Sequence, residues 1–200
     1  MLDKDMATMS DITHDHKFSP VLKKRFKAFK EDKTLFDTKQ VDGFLKKLQF
    51  PISYLDFETF TPAVPIFDHS RPYQQICFQY SVHIENSPAE EIQHKEFLAF
   101  AEEGDPRDSF ITKLIDDVPK EGSVVVYNAS FEKLRLKEMA EAFPKYQAAC
   151  QSIIDRIVDL YKPFQKLHVY TPSMKGSASL KSVLPAVVPD LSYEGMDISQ

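Results

Sequence analysis

Asp56 and Glu58 stand two residues apart in the stretch Ile52-Ser53-Tyr54-Leu55-Asp56-Phe57-Glu58-Thr59-Phe60. Side chains alternate along a strand, so both carboxylates share one face while Leu55, Phe57 and Thr59 take the other. Two like charges that close, among apolar neighbours, repel each other and lose solvation. Three arrangements relieve them: a divalent metal, a nearby Arg or Lys, or a strand end that reaches water. Mg²⁺ or Mn²⁺ is the metal that suits carboxylate oxygens.

A third acid comes from a different element. Ser123-Val124-Val125-Val126-Tyr127 is a short β-branched run of the kind found in buried parallel strands. It passes through Asn128-Ala129-Ser130 into a helix carrying Phe131, Leu134, Met139 and Ala140. Glu132 falls in the first turn of that helix, near the positive end of its dipole. One reading makes it a dipole-stabilising Glu with Asn128 as the cap. The other joins it to Asp56 and Glu58 as three carboxylates at the edge of a sheet, where α/β proteins gather ligands and where a two-metal site needs oxygen donors.

The remaining polar candidates each carry a structural reading beside a functional one. Arg71, in a loop bounded by Pro62, Pro65 and Pro72, either meets a phosphate or neutralises Asp56 and Glu58. Tyr127 and Phe131 either stack on a base or pack in the core. His83 and His94 read as structural strand residues with ligation as the alternative, Gln75 and Gln79 as groove residues, and Asp159 as a residue tying a helix start. Cys77 and Cys150 are far apart and outside any metal-ligand spacing.

The elements that must position these groups follow from periodicity. Residues 1–17 are polar and aperiodic, with a His14-Asp15-His16 triplet, and read as a tail. Residues 18–50 read as a helical segment. Ser19-Pro20 starts a helix with Leu22, Phe26 and Phe29 on one face and Lys23, Lys24, Lys27 and Lys30 over the others. That lysine face is either solvated or a basic arm for an anionic partner. A second helix carries Val41, Phe44, Leu45 and Leu48. Residues 51–200 form the main domain. Strands are expected over Ile52–Phe60, Gln75–Ile84 and Glu91–Phe97, then a helix from Asp105, the strand Ser123–Tyr127 and its helix. A further helix is expected from Tyr146 to Tyr161, and a last one beginning near Ser177 or Ser179. The class is α/β, with a mixed sheet flanked by helices.

Composition bounds the function. The 200 residues are 42% hydrophobic and 28% charged, with a net charge of −5. No apolar run is long enough to span a bilayer and no signal-peptide pattern opens the chain, so a cytoplasmic setting without a membrane partner is expected. The negative balance argues against coating nucleic acid by charge alone, while leaving room for a nuclease with an acidic metal site.

Together, Tyr54-Leu55-Asp56-Phe57-Glu58-Thr59 and Val126-Tyr127-Asn128-Ala129-Ser130-Phe131-Glu132 resemble two motifs of the ribonuclease H-like DEDD exonuclease superfamily, with Glu132 standing for an Asp. Ile157-Val158-Asp159-Leu160 and Ser179-Leu180-Lys181-Ser182-Val183-Leu184 look like its following segments. Phrases such as Arg71-Pro72-Tyr73-Gln74-Gln75 and Phe78-Gln79-Tyr80-Ser81 are similar to a prokaryotic domain family of unknown function, often fused behind a RecB-like nuclease domain.

The resemblance implies a ribonuclease H-like fold with three antiparallel strands followed by a parallel one. It implies two-metal hydrolysis of nucleic-acid phosphodiester bonds at single-stranded ends. Asp56 would bridge the ions, Glu58 and Glu132 would hold one ion or its waters, and Asn128, Thr59, Phe131 and Arg71 would contact substrate. A RecB-like domain, in cis or in trans, is the implied partner. The superfamily's fourth acid has no counterpart, Asp190 and Asp197 not being assigned to it. The chain is therefore expected to be truncated or shortened and weakly active. The alternative is an inactive nucleic-acid-binding or protein-docking module of the same fold.

Overall fold

The structure is a computed structural model that describes residues 17–191. All of the tail expected over residues 1–17 except Lys17 lies outside the described residues, and so does Asp197. In chain order the elements are α1 (Pro20–Glu31), β1 (Leu35–Phe36), α2 (Thr38–Leu45), β2 (Ile52–Phe60), β3 (Ile76–Glu85), β4 (Gln93–Leu98), α3 (Arg107–Asp117), β5 (Ser123–Val126), α4 (Ser130–Ala142), α5 (Gln147–Asp155), β6 (Ile157–Asp159), α6 (Tyr161–Gln165), β7 (Val169–Tyr170) and α7 (Leu180–Val187). They divide into two compact units: a sheet unit, Leu45–Leu160, and a split unit made from Met1–Phe44 and Tyr161–Gln200.

The sheet unit is an α/β layer built on five strands in the order β4-β3-β2-β5-β6. β4, β3 and β2 are antiparallel neighbours, while β5 and β6 run parallel to β2. Leu55 and Phe57 of β2, Tyr80 and Val82 of β3, and Val124 and Val126 of β5 point to one face. There they meet Phe110, Ile111 and Leu114 of α3, Leu136 and Met139 of α4, and Cys150 and Ile153 of α5. Rings lock the layer: Phe110 lies 5.3 Å, edge to face, from both Phe57 and Tyr80. Tyr80 is fully buried, and its hydroxyl donates to Asp117 Oδ2 at 2.6 Å, which satisfies the polar tip that burial would otherwise strand.

The other face of the antiparallel strands carries the chemistry. Alternation puts Tyr54, Asp56 and Glu58 there, and register pairs them with His83, Ser81 and Gln79. His94, Glu96 and Leu98 of β4 complete the rows. All three β2 residues are exposed, so Asp56 and Glu58 are not enclosed in a buried strand, though the Asp56 carboxyl itself is partly desolvated. After Glu58 the register shifts: Thr59 pairs with Cys77, leaving Phe78 as an extra residue on β3. This bulge turns Cys77 into the core and Phe78 toward Phe60, whose ring centroid is 6.0 Å away.

One expectation is corrected. The helix expected from Tyr146 to Tyr161 ends at Asp155, and Ile157-Val158-Asp159 form a parallel edge strand on β5 instead. The β-branched pair fits a strand, and Arg156 closes the helix end by donating to the carbonyls of Ser152, Glu121 and Gly122. Gly122 itself, at φ +79°, sits so close to Pro51 that a Cβ would lie 1.9 Å from the Pro51 carbonyl oxygen.

In the split unit β1 and β7 pair antiparallel. Ala28, Leu167, Tyr170, Met174 and Val183 form its core. Ser19 caps α1 by accepting from the Leu22 N–H. Among the described residues no helix is long and apolar enough to cross a membrane.

Candidate functional site

Because β2, β5 and β6 are parallel, their carboxyl ends open on one edge of the sheet. Val126 pairs with Asp159, so the last residue of β6 is level with the end of β5. The last β2–β5 pair is Tyr54 with Val125, which places Asp56 just beyond the reach of β5. The chain then turns through Asn128 and Ala129 into α4, whose first turn brings Glu132 back to the same edge.

Glu132 is only 2% exposed, and its Oε2 has no hydrogen-bond partner. Burial pushes its pKa up to about 7. The charges of Asp56 and Asp159 push the same way, against a bond from its own backbone N–H. Asp56 is also raised, chiefly by desolvation of its carboxyl and against a bond from the Phe57 N–H. The charges that reach Glu132 are thus those of Asp56 and Asp159. Glu58 lies one step further along the exposed face of β2, beside the bulge, and is not among the charges acting on Glu132.

Asp159 was legible only as a structural residue, and it is one. Its Oδ1 accepts the Asn128 N–H at 3.0 Å, which holds the turn before α4. Its charge also acts on Glu132, a consequence of β6 being a strand, and that makes it part of the site. Asn128 occupies the left-handed region at φ +71°, a conformation Asn tolerates, and its Oδ1 accepts from Ser130 Oγ at 2.8 Å. It does not cap α4: Ala129 stands at the N-cap and offers no side-chain bond.

Arg71 is not the neutralising cation. It pairs with Glu138 at 3.0 Å, and Glu138 also receives Arg135 at 3.0 Å. Arg135 donates to Gln75 and lies over the Phe131 ring at 5.5 Å, so Phe131 and Gln75 belong to a network centred on this buried arginine. Thr59 is half-buried at the bulge. His83 and His94 stack with centroids 4.4 Å apart, and His94 Nε2 is 3.1 Å from Ser81 Oγ, the residue opposite Asp56.

Asp56, Glu58 and Glu132 form no ion pair among the described residues. Among those residues, too, no three His, Cys, Asp or Glu side chains are gathered closely enough to hold a metal ion. The donor set nonetheless suits a hard divalent cation: oxygen ligands, surplus negative charge and one buried carboxylate oxygen with nothing to bind.

Comparison with known proteins returns no solved structure that matches. Among curated proteins, the uncharacterized protein UU173 of Ureaplasma parvum is 31% identical over 170 residues, covering 81% of this chain and 24% of that protein. The uncharacterized MG366 homolog of Mycoplasma pneumoniae is 31% identical over 151 residues, covering 71% and 23%. MG366 of Mycoplasma genitalium, also uncharacterized, is 31% identical over 156 residues, covering 70% and 22%. The chain spans about a quarter of the length of these relatives.

The identification with the DEDD exonuclease superfamily is corrected by these findings. Two motifs of a few residues each, one with Glu132 in place of Asp, carried it, and such short patterns arise in unrelated strand–turn–helix contexts. The matching family model covers residues 53–179, from the strand that bears Asp56 to the start of the last helix, and the chain belongs to that family, described as Domain of unknown function (DUF2779).

Proposed function

We propose that Asp56, Glu132 and Asp159, with Glu58 beside them, bind Mg²⁺ or Mn²⁺ and that the sheet unit is a ribonuclease H-like nuclease domain hydrolysing phosphodiester bonds in nucleic acid. The observation that carries the reading is the buried, unpartnered Oε2 of Glu132, within the electrostatic reach of Asp56 and Asp159. A site of this charge is stable only with a proton or a cation in it. When bound, the metal would activate a water and stabilise charge on the leaving oxygen.

The residues have separable tasks. Glu132 holds the proton in the resting site and yields it to become a ligand. Asp56 supplies an oxygen from the open sheet face, where a strand of nucleic acid has access. Asp159 supplies charge while its bond to the Asn128 N–H fixes the turn that places Glu132. Ser81, opposite Asp56, and His94, which reaches Ser81 from the neighbouring row, offer hydrogen-bond donors to a phosphate. A RecB-like nuclease domain remains the proposed companion, in cis or in trans.

Calorimetric titration with Mn²⁺ tests the site. Wild type should bind, and Asp56→Ala and Glu132→Gln should each lose at least an order of magnitude in affinity. Labelled single-stranded DNA and RNA should then be cut in Mn²⁺ by wild type and not by Asp56→Ala. Binding that is indifferent to both substitutions, or absent altogether, would overturn the metal reading in favour of an inactive binding module with the same fold.

A further inference from the structure

Charge is divided unevenly along the chain. Over residues 45–160 nineteen Asp and Glu face twelve Lys and Arg, whereas over residues 17–44 and 161–191 twelve Lys and Arg face five Asp and Glu. The flanks, 1–16 and 192–200, add one Lys and six acids. The described part of the split unit is therefore strongly basic in a chain whose net charge is −5.

α1 concentrates that charge. At about 100° per residue, Lys30, Lys23, Lys27 and Lys24 fall within one arc of roughly 120°, with Glu31 the lone acid among them. All four lysines are exposed. Phe26 and Ala28 are buried, and Arg25 lies over the Tyr170 ring at 5.8 Å. This cation is thus part of the unit's packing; the four lysines stay exposed, Lys30 lying over the Phe26 ring at 5.4 Å, beside the exposed Val21, Leu22 and Phe29. Lys30, in the last turn, suits the helix dipole, but the spacing of the others does not serve the helix. Lys23 and Lys27, four residues apart, and Lys24, Lys27 and Lys30, three apart, are like-charge neighbours that weaken a helix. Glu31 meets Lys27 only at 3.9 Å. No acid occupies the first turn, so Lys23, at its edge, meets the positive end of the dipole without compensation. An extended polyanion laid along the arc removes all of these repulsions together.

We infer that the lysine arc of α1 is a sequence-independent binding surface for the phosphate backbone of a nucleic acid. The choice of nucleic acid over another polyanion rests on the reading of the carboxylate cluster proposed above; the surface itself rests on the lysines alone. Its contacts are with phosphates, so it fixes position and carries no sequence preference.

The test uses the full chain and a fluorescein-labelled oligothymidylate, followed by anisotropy in EDTA so that the carboxylate site takes no part. Four phosphate contacts predict a slope of log affinity against log salt near −3, about −0.7 per contact for a single strand. Replacing Lys23, Lys24, Lys27 and Lys30 together by Gln, a residue of similar helix propensity, should flatten that slope toward zero and weaken binding at low salt at least tenfold. Circular dichroism should be unchanged.

Wild-type affinity and slope in the fourfold Gln variant would overturn the proposal, even if Asp56→Asn abolished cleavage and so upheld the catalytic reading. Lysine-dependent oligonucleotide binding by a chain that cuts nothing in Mn²⁺ would leave the surface standing and sink the catalytic reading. Binding through the same lysines to phosphatidylserine vesicles, with none to the oligonucleotide, would overturn the proposal in favour of a membrane surface.

Discussion

Glu132 makes the acid limb of the stability curve diagnostic. Its carboxyl titrates near 4.5 in an unfolded chain and at about 7 here, so the folded state binds the extra proton between those values. Stability therefore falls as pH rises from about 4.5 to about 7 and then levels, for a total of about 3 kcal/mol from this one group at 1.36 kcal/mol per pKa unit. Urea melts of Glu132→Gln should show that decline abolished, with the variant the more stable above neutrality and little changed near pH 4.5. Mn²⁺ should restore wild-type stability at high pH and displace a proton as it binds. The observed calorimetric heat at pH 7 should accordingly change with the ionisation enthalpy of the buffer. Asp159→Asn keeps an oxygen for the Asn128 N–H and removes the charge. It should lower the pKa of Glu132 while sparing the fold, a shift readable in the same melts.

Two contacts set the elements that carry the site. Gly122 turns the chain into β5 at positive φ and against the Pro51 backbone, so Gly122→Ala combines strain with a clash. It should cost about 2 kcal/mol or more, measured as a lowered denaturant midpoint. Tyr80→Phe removes a buried hydroxyl from Asp117, which keeps its two short bonds to Lys113, and should cost about 1–2 kcal/mol. These elements were readable to different depths. The alternation of β2 assigns Asp56 and Glu58 to one face correctly, because a two-residue period leaves no choice. The parallel strand β5 follows from its β-branched run, and α3 from the spacing of Phe110, Leu114 and Val118. β6 was hidden because Ile157 continues the helical spacing of Ile153 and Ile154; only pairing with β5 makes it a strand. β1 and β7, two residues each, likewise exist through pairing. The role of Asp159 was lost with β6, and the depth of Glu132 depends on how α4 packs, which no local pattern records.

At the scale of the molecule, fold and charge divide the same way. The acidic sheet unit holds the carboxylates, while the described part of the split unit holds the surplus of lysine. The chain leaves the split unit at Phe44 and re-enters it at Tyr161. Any fragment with only one of its two stretches therefore lacks part of the core formed by Ala28, Leu167, Tyr170, Met174 and Val183. Expressing residues 45–160 alone should consequently give a protein that binds Mn²⁺ through Asp56 and Glu132 and lacks salt-dependent oligonucleotide affinity. Retention of that affinity would place the nucleic-acid surface on the sheet unit.

The bulge at Phe78 has a use of its own. By turning Cys77 inward it puts both cysteines of the chain, Cys77 and Cys150, into the core of the sheet unit, where burial pushes the thiols up to about 12 and about 11. Neither can react without an opening of that core. Cys77, moreover, lies within the electrostatic reach of Glu132. The pair is a built-in clock: the rate at which a thiol reagent consumes Cys77 measures how often α4 lifts from the sheet. A cation that ties α4 to β2 through Glu132 and Asp56 should slow that clock, and a cation that does not bind there should leave its rate unchanged.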